Sequence, residues 1–204
     1  MARDGKLPRQ FSMEYSMCAN GLDLQDRSLG TCVLRGSQQE FHVKYRLPNS
    51  GWRNEVKAMQ RLKHPHIIAL EEVFEKPEQI TLVMERTHGG DLYSLLARTS
   101  NYSERAAAEM LYNLLQAVEY MHHQRIIHCD LKLENVLLEH ELPKTVFELQ
   151  QRPDLMAAVK VANFSSALVV DDADKFTFCA GTPYYMAPDI LRCGYFQSGP
   201  PWGR

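Results

Sequence analysis

The sequence predicts an α+β fold with a strand-rich first part and a helical second part. Two observations support this expectation. Short apolar segments bounded by Gly, Asn and Pro recur up to residue 85, whereas the segment after residue 103 repeats apolar residues at helical spacing. Strands and helices that are segregated along a chain, rather than alternating, are typical of α+β proteins.

The first part is expected to form several strands and one helix. Val56, Met59 and Leu62 recur every third residue and indicate the helix, which the pair His64-Pro65 ends. Turn residues separate the apolar segments on either side, so each of these segments is expected to be a short strand. The predicted bounds are 11–17, 31–34, 40–47, 67–74 and 79–85 for the strands and 53–63 for the helix.

The second part begins after the turn at Gly89-Gly90. Asp91 is a suitable N-cap for a short helix over 92–98, and Ser103 is one for a long helix over 104–122. The long helix has apolar residues at helical spacing, namely Met110, Leu111, Leu114, Leu115, Val118 and Met121. Short strands are expected over 136–138 and 159–161, with a polar insertion over 139–153 between them.

The composition is ordinary for a globular protein, and this pattern divides the chain into four segments. They are a polar leader over 1–10, a β-rich part with one helix over 11–87, a helical part over 88–191 and an irregular tail over 192–204. The net charge of −2 gives no attraction to nucleic acid or to an anionic membrane, so neither is an expected partner, and no protein partner is indicated.

The expected location is intracellular, and most simply cytoplasmic. No apolar run approaches the ~18 residues of a membrane span, and the N-terminus is too polar for a secretory signal. The five cysteines are scattered and contain no Cys-x-x-Cys pair, so neither a zinc site nor a disulfide framework is indicated.

The segment 128–135, His-Cys-Asp-Leu-Lys-Leu-Glu-Asn, carries the clearest chemical pattern. One loop there holds the carboxylate of Asp130, the ammonium of Lys132 and the amide of Asn135. Phosphoryl transfer uses such a set, because it needs an acceptor that orients the hydroxyl nucleophile, a cation for the moving phosphate and an oxygen ligand for magnesium. The alternative interpretation is a solvated turn with a capping Asp, which would be the usual one for an isolated Asp-x-Lys-x-x-Asn.

With its apolar flanks, this segment resembles the catalytic loop of the eukaryotic Ser/Thr protein kinases. The resemblance continues in the expected order over roughly residues 12–191, and the segment 181–189, Gly-Thr-Pro-Tyr-Tyr-Met-Ala-Pro-Asp, resembles the loop that receives a substrate peptide. At their positions, Lys132 and Thr182 are the residues typical of Ser/Thr kinases and not of tyrosine kinases. The Tyr-Ser-Glu-Arg and Gly-Gly-Asp-Leu-Tyr segments resemble the calmodulin-dependent-kinase branch.

The resemblance implies a protein-kinase-like fold, with a small N-lobe over 11–87 and an incomplete helical C-lobe over 88–191. It implies transfer of the ATP γ-phosphoryl group to protein Ser or Thr, with Asp130 and Lys132 as catalytic residues. ATP would be held by Lys44 with its ion-pair partner Glu55, by backbone groups of Glu85 and Thr87 at the adenine, and by Asp91 near the ribose. Mg²⁺ would be bound by Asn135 and, weakly, by Asn163.

Several positions depart from the family pattern. Asn163-Phe164-Ser165 stands where the family has Asp-Phe-Gly, so one negative charge for magnesium is lost. No Gly-x-Gly-x-x-Gly loop precedes Lys44, and Asp23 and Asp26 near that place would repel a triphosphate. His42 replaces a small residue beside the expected adenine pocket, where it would either crowd the base or stack on it.

Two further departures concern regulation and length. Cys129 replaces the Arg that reads an activation-loop phosphate, so phosphorylation of Thr177 would have no obvious switch partner. The sequence also stops before the later C-lobe helices of the family, which would leave an apolar face of the long helix exposed. Three hypotheses follow: a working Ser/Thr kinase, a pseudokinase that serves as a binding or scaffolding module, or an inactive C-terminally truncated fragment of a longer kinase. Impaired catalysis is expected.

Overall fold

The computed structural model describes residues 11–22, 29–48, 50–98, 103–143, 148, 152, 155, 157–170 and 180–193. The chain folds as two compact units, Met1–Trp52 with Leu70–Arg86 and Arg53–Ala69 with Thr87–Arg204. The predicted leader over 1–10 and most of the predicted tail over 192–204 lie outside the described residues. Within the described residues, every helix is too short or too polar to cross a lipid bilayer.

The first unit is built on an antiparallel sheet of five strands. A short helix, α1 (Phe11–Glu14), precedes the first strand, so the strand predicted over 11–17 begins only at Tyr15. The rings of Phe11 at the start of α1 and of Tyr15 directly after it stack with centroids 5.4 Å apart. The strands are β1 (Tyr15–Leu22), β2 (Leu29–Leu34), β3 (Glu40–Arg46), β4 (Leu70–Glu75) and β5 (Ile80–Glu85). Their order across the sheet is β1-β2-β3-β5-β4.

One face of this sheet holds an aromatic core. The ring of Tyr15 meets those of Phe41 and Phe74 edge-on, with centroids 5.7 and 5.9 Å apart. Val43 and Val83 are buried in the same cluster. Since side chains alternate along a strand, this apolar face fixes the register of β3 against its neighbours, and it directs Lys44 to the opposite face from Val43.

Helix α2 (Trp52–Arg61) lies almost wholly in the second unit, although the sequence pattern groups it with the first part. The segment after it is attached to that unit by hydrogen bonds. The imidazole of His66 donates to the carbonyl of Val159 at 3.0 Å, and Ile67 forms a β-bridge with Val161. The strand predicted over 67–74 therefore begins only at Leu70, because Ile67 pairs elsewhere.

The helical core of the second unit is formed by α3 (Leu92–Arg98) and α4 (Glu104–His123). Both helices were predicted, and the Ser103 side chain caps α4 by accepting from the Ala106 amide at 3.1 Å. Leu111 and Leu115, which the sequence counts among the apolar residues of this helix, are more than half exposed. The buried cluster consists of Leu92, Leu95, Ala106, Met110, Val136, Leu138 and Val159.

Two pairs of short strands frame the loops of the second unit. Strands β7 (Val136–Leu138) and β8 (Val159–Val161) have their predicted bounds and pair with each other. Strands β6 (Ile126–Ile127) and β9 (Leu168–Val169) were not predicted, because two residues show no periodicity. The loop 128–135 thus runs from β6 to β7, and the loop 162–167 runs from β8 to β9. A short helix, α5 (Pro188–Cys193), follows later.

Candidate active site

A buried histidine anchors the loop between β6 and β7. The ring of His128 is 2% exposed, and its Nε2 donates to the carbonyl of Ala162 at 2.9 Å. Its Nδ1 accepts from the backbone N–H of Asp130 at 3.2 Å. The intervening Cys129 has a φ of +64°, so the chain turns sharply between these two residues. His128 has no separate role in the sequence pattern, but the structure shows that it positions Asp130 against the loop after β8.

Asp130 lies at the centre of a cluster of polar side chains. Thr182 Oγ1 donates to Asp130 Oδ1 at 2.7 Å, and Lys132 Nζ donates to the same Thr182 oxygen at 2.7 Å. Lys132 Nζ also lies 3.3 Å from Asp130 Oδ2. Asn135 Nδ2 donates to the Asp130 carbonyl at 2.7 Å and to Oδ2 at 3.1 Å. The structure therefore brings together three of the predicted site residues and adds Thr182 to them.

These contacts keep the Asp130 carboxyl ionised. Burial on its own would raise the pKa of Asp130, since it disfavours the charged form. Hydrogen bonds from Thr182, Lys132 and Asn135, together with the charge of Lys132, outweigh burial, and the pKa lies below its ordinary value. At neutral pH the side chain is thus a carboxylate that accepts protons and does not donate them.

A close backbone contact holds the 181–189 segment against the 128–135 loop. A Cβ on Gly181 would lie 2.4 Å from the Cys129 carbonyl oxygen, and Gly181 has a φ of +118°. Only glycine fits a place with both features without strain. Tyr185 adds a second contact, since its hydroxyl donates to a carboxylate oxygen of Glu134 at 3.2 Å. The predicted substrate-receiving segment is therefore held against the loop that carries Asp130.

Asn135 and Asn163 are hydrogen-bonded directly to each other. Asn163 Nδ2 donates to Asn135 Oδ1 at 3.1 Å, and Ser165 Oγ donates to Asn163 Oδ1 at 2.9 Å. Asn163 itself has a left-handed backbone with a φ of +62°. The next residue, Phe164, is fully buried and packs edge-on against His128. In the sequence pattern Ser165 is only the residue that replaces a glycine, and its hydroxyl is the signal that could have indicated this contact.

These residues do not fit a magnesium ion. Mg²⁺ favours charged, hard oxygen ligands, whereas the two predicted ligands are neutral amides. The oxygen of Asn135 that would face the ion already accepts the hydrogen bond from Asn163. Among the described residues, no group of three or more His, Cys, Asp and Glu side chains is arranged to hold a metal. The structure thus brings the two predicted ligands together, but as partners of each other.

Two of the predicted ATP-binding residues lie in the first unit. Lys44 is on β3 opposite Leu82 of β5 and is only 6% exposed, and Glu85 ends β5 opposite Phe41. His42, two residues before Lys44, is tied to a cation, since Arg86 Nη1 donates to its Nδ1 at 3.1 Å.

The other three lie in the second unit. Glu55 on α2 and Thr87 are 2% and 5% exposed. Asp91 is engaged as a helix cap, because both of its carboxylate oxygens accept from Ser94, one from the amide and one from the hydroxyl, each at 2.7 Å. The capping role predicted for Asp91 is therefore confirmed, and its role at a ribose stays a prediction. Thr177, Asp23 and Asp26 lie outside the described residues.

Comparisons with known proteins agree with this geometry. The family model described as "Protein kinase domain" matches residues 35–201. The chain is 38% identical over 167 residues to the serine/threonine-protein kinase DCLK1 of Rattus norvegicus, covering 78% of this chain and 35% of that protein. It is 36% identical over 168 residues to the calcium/calmodulin-dependent protein kinase type IV of Homo sapiens, covering 80% and 33%.

The matched part of each relative is a minor share of its length. A third relative, the serine/threonine-protein kinase DCLK2 of Homo sapiens, is 38% identical over 138 residues, which is 68% of this chain and 16% of that protein. The chain thus spans about a third or less of the relatives that it matches. The match nevertheless covers most of the chain and includes the Asp130 loop. The chain therefore belongs to the protein kinase domain family, among Ser/Thr kinases of the calmodulin-dependent-kinase-like branch.

Proposed function

We propose that this domain receives a serine or threonine side chain of a protein at Asp130 and transfers the γ-phosphoryl group of ATP to it at a much reduced rate. The observation that supports this most is the arrangement of Thr182, Asp130 and Lys132. It places an ionised acceptor and a cation within hydrogen-bond distance of one hydroxyl oxygen. A substrate hydroxyl beside them would find a proton acceptor and a positive charge.

Each group has a defined part in the reaction. The hydroxyl oxygen of the substrate forms a bond to the γ-phosphorus, while the bond between that phosphorus and the β–γ bridging oxygen breaks. The electron pair of the broken bond leaves with ADP, and the hydroxyl proton passes to the carboxylate of Asp130, which its hydrogen bonds and the charge of Lys132 keep ionised. Lys132 offsets the negative charge of the moving phosphoryl group.

ATP is proposed as the phosphoryl donor because kinases of this family use it. Lys44, Glu55, Glu85, Thr87 and Asp91 are its proposed binding residues, because the segments around them resemble the family pattern in the sequence. In the family, Mg²⁺ neutralises the phosphate charge that develops during transfer. Since Asn135 and Asn163 do not fit that ion, a large part of this stabilisation is missing, and the proposed rate is low for this reason.

A second candidate function is supported by the hydrogen bond between Asn163 and Asn135. A domain whose metal position is closed in this way would serve as a pseudokinase, a binding module that keeps the fold without transfer. The two functions differ in one measurable property, which is phosphate incorporation. The first function predicts incorporation that requires the Asp130 carboxylate, and the second predicts none.

The test is a radiolabelled transfer assay with the full 204-residue chain, γ-labelled ATP and casein as a Ser- and Thr-containing acceptor. We expect slow incorporation into Ser and Thr, but not Tyr, and a loss of at least about a hundredfold in Asp130→Asn, because an oriented proton acceptor contributes that much. Glu119→Gln, a change on the exposed side of α4, is the matched control and should keep the wild-type rate.

Two outcomes contradict the proposal. Equal incorporation by the wild type and Asp130→Asn would mean that the label comes from another enzyme in the preparation. No incorporation by the wild type, together with a melting temperature that ATP raises, would favour the binding module, because a ligand that binds the folded state stabilises it by mass action.

A further inference from the structure

Four polar side chains form a continuous hydrogen-bonded chain across the two loops of the candidate site. Asn135 Nδ2 donates to Asp130, Asn163 Nδ2 donates to Asn135 Oδ1, and Ser165 Oγ donates to Asn163 Oδ1. The distances lie between 2.7 and 3.1 Å. Asp130 and Asn135 lie in the loop after β6, and Asn163 and Ser165 lie in the loop after β8. The hydrogen-bonded chain therefore joins these two loops.

The chemistry of the end groups fixes the orientation of both amides. The carbonyl and the carboxylate of Asp130 can only accept, so Asn135 must direct its NH₂ group toward them. The Asn135 side-chain oxygen then faces Asn163, so Asn163 must donate to it from its own NH₂ group. The oxygen of Asn163 is left facing the hydroxyl of Ser165, which donates. Every member is thus matched to its neighbour as donor to acceptor.

An aspartate at position 163 would break this pattern. A carboxylate has no proton to donate when ionised, so two acceptor oxygens would face each other about 3 Å apart, the separation that now joins Asn163 to Asn135. Such a pair needs a cation between its oxygens. Asn163 supplies a proton at that place instead. Asn135 is only 5% exposed, so water gives its oxygen little alternative partner.

We propose that this hydrogen-bonded chain replaces the divalent cation, so that the folded domain is complete without a metal ion and binds ATP without requiring a metal ion on its phosphates. The first half of the proposal concerns only the hydrogen-bonded chain of side chains, without nucleotide. The second half rests on the proposed function, since it requires that the domain binds ATP. Asn163 and Ser165 are the residues that carry the change, because one provides the proton and the other satisfies the oxygen that remains.

The first experiment measures thermal unfolding of the full chain in EDTA, in millimolar MgCl₂ and in millimolar MnCl₂, without nucleotide. The wild type should melt at the same temperature in all three. Asn163→Asp should melt roughly 3–6 °C lower in EDTA, because it loses a hydrogen bond and gains repulsion, and MnCl₂ should restore at least half of the loss. Asn163→Ala is the control, since it loses the hydrogen bond but should not respond to either metal.

Two results would overturn the first half. One is a wild type that either metal stabilises by more than about 2 °C, and the other is an Asn163→Asp variant that melts at the wild-type temperature in EDTA. If Asn163→Asp does not fold, the metal response of the wild type alone decides. Ser165→Ala then offers a milder variant, which should lower the melting temperature in EDTA and MgCl₂ equally.

The second experiment titrates ATP into the wild type with EDTA and with MgCl₂ by calorimetry. We expect dissociation constants that agree within about twofold, since no metal-dependent contact is formed. Binding only with MgCl₂ would overturn the second half while leaving ATP binding as proposed. Binding in neither buffer would overturn ATP binding itself, and with it the proposed function, while the unfolding experiment would still decide whether the hydrogen-bonded chain replaces the cation.

Discussion

Thr182 Oγ1 lies 2.7 Å from Asp130 Oδ1, although the two residues are 52 positions apart in the chain. Lys132 binds the same threonine oxygen, so one hydroxyl joins the anion and the cation of the candidate site. This contact depends on the close approach of Gly181 to Cys129, which brings the two segments together. The position of the Asp130 carboxylate is thus determined by a segment far away in the sequence.

Replacing Thr182 by Val should destabilise the protein in a pH-dependent way. The lowered pKa of Asp130 means that its contribution to stability is present above the unfolded value of about 3.9 and is lost as the pH falls through the folded value. The valine variant should lose about 1–2 kcal/mol at pH 7, measured by urea denaturation, and much less at a pH below the folded pKa of Asp130. Thr182→Ser, which keeps the hydroxyl, should lose little. An equal loss at both pH values would contradict this.

Replacing Gly181 by Ala should destabilise the second unit by about 2–4 kcal/mol. The new Cβ would meet the Cys129 carbonyl oxygen at 2.4 Å, and the positive φ adds backbone strain of its own. Gly36→Ala is a matched control, because Gly36 also has a positive φ but no atom within 4 Å of the new Cβ. Chemical denaturation of both variants should show a clearly larger loss for Gly181→Ala. Similar losses for the two variants would mean that backbone strain at the positive φ, and not the contact with Cys129, causes the loss of stability.

His128→Phe should lower the free energy of unfolding by about 2–4 kcal/mol. Phenylalanine keeps an aromatic ring next to Phe164, but it leaves the Ala162 carbonyl and the Asp130 amide without their imidazole partner. The exposed His123, changed in the same way, should cost less than about 0.5 kcal/mol. Comparable urea midpoints for the two variants would show that the buried imidazole is not a structural anchor.

The protein should lose stability between about pH 9 and 11, in part through Cys129. Burial raises the pKa of this thiol to about 11, so the unfolded chain ionises first and binds fewer protons than the folded protein. The free energy of unfolding therefore falls as the pH rises through this window, by about 2 kcal/mol for this residue. Cys129→Ser should flatten the curve by that amount. The pKa of Cys32 is also raised to about 11, so part of the slope should remain.

Local signals in the sequence were enough for many elements. Ser103 marked the start of α4, and the apolar runs at Val136–Leu138 and Val159–Val161 marked two strands with their observed bounds. These features depend on neighbours within a few residues, which is why periodicity and capping detect them. The strand predicted over 67–74 was too long for the opposite reason, since Ile67 forms a β-bridge with Val161, far along the chain, through hydrogen bonds made by its neighbours His66 and Ile68.

The amino-acid sequence is enough to assign the family and the chemical identity of the site residues, because Asp130, Lys132 and Asn135 fall within six positions of one loop. It also showed that Asn163 had lost the charge of an aspartate. What the asparagine does instead depends on contacts made in the folded protein. Its partner Asn135 lies 28 positions away, and a hydrogen bond between two loops depends on how the strands that carry them pair, not on the residues beside each one.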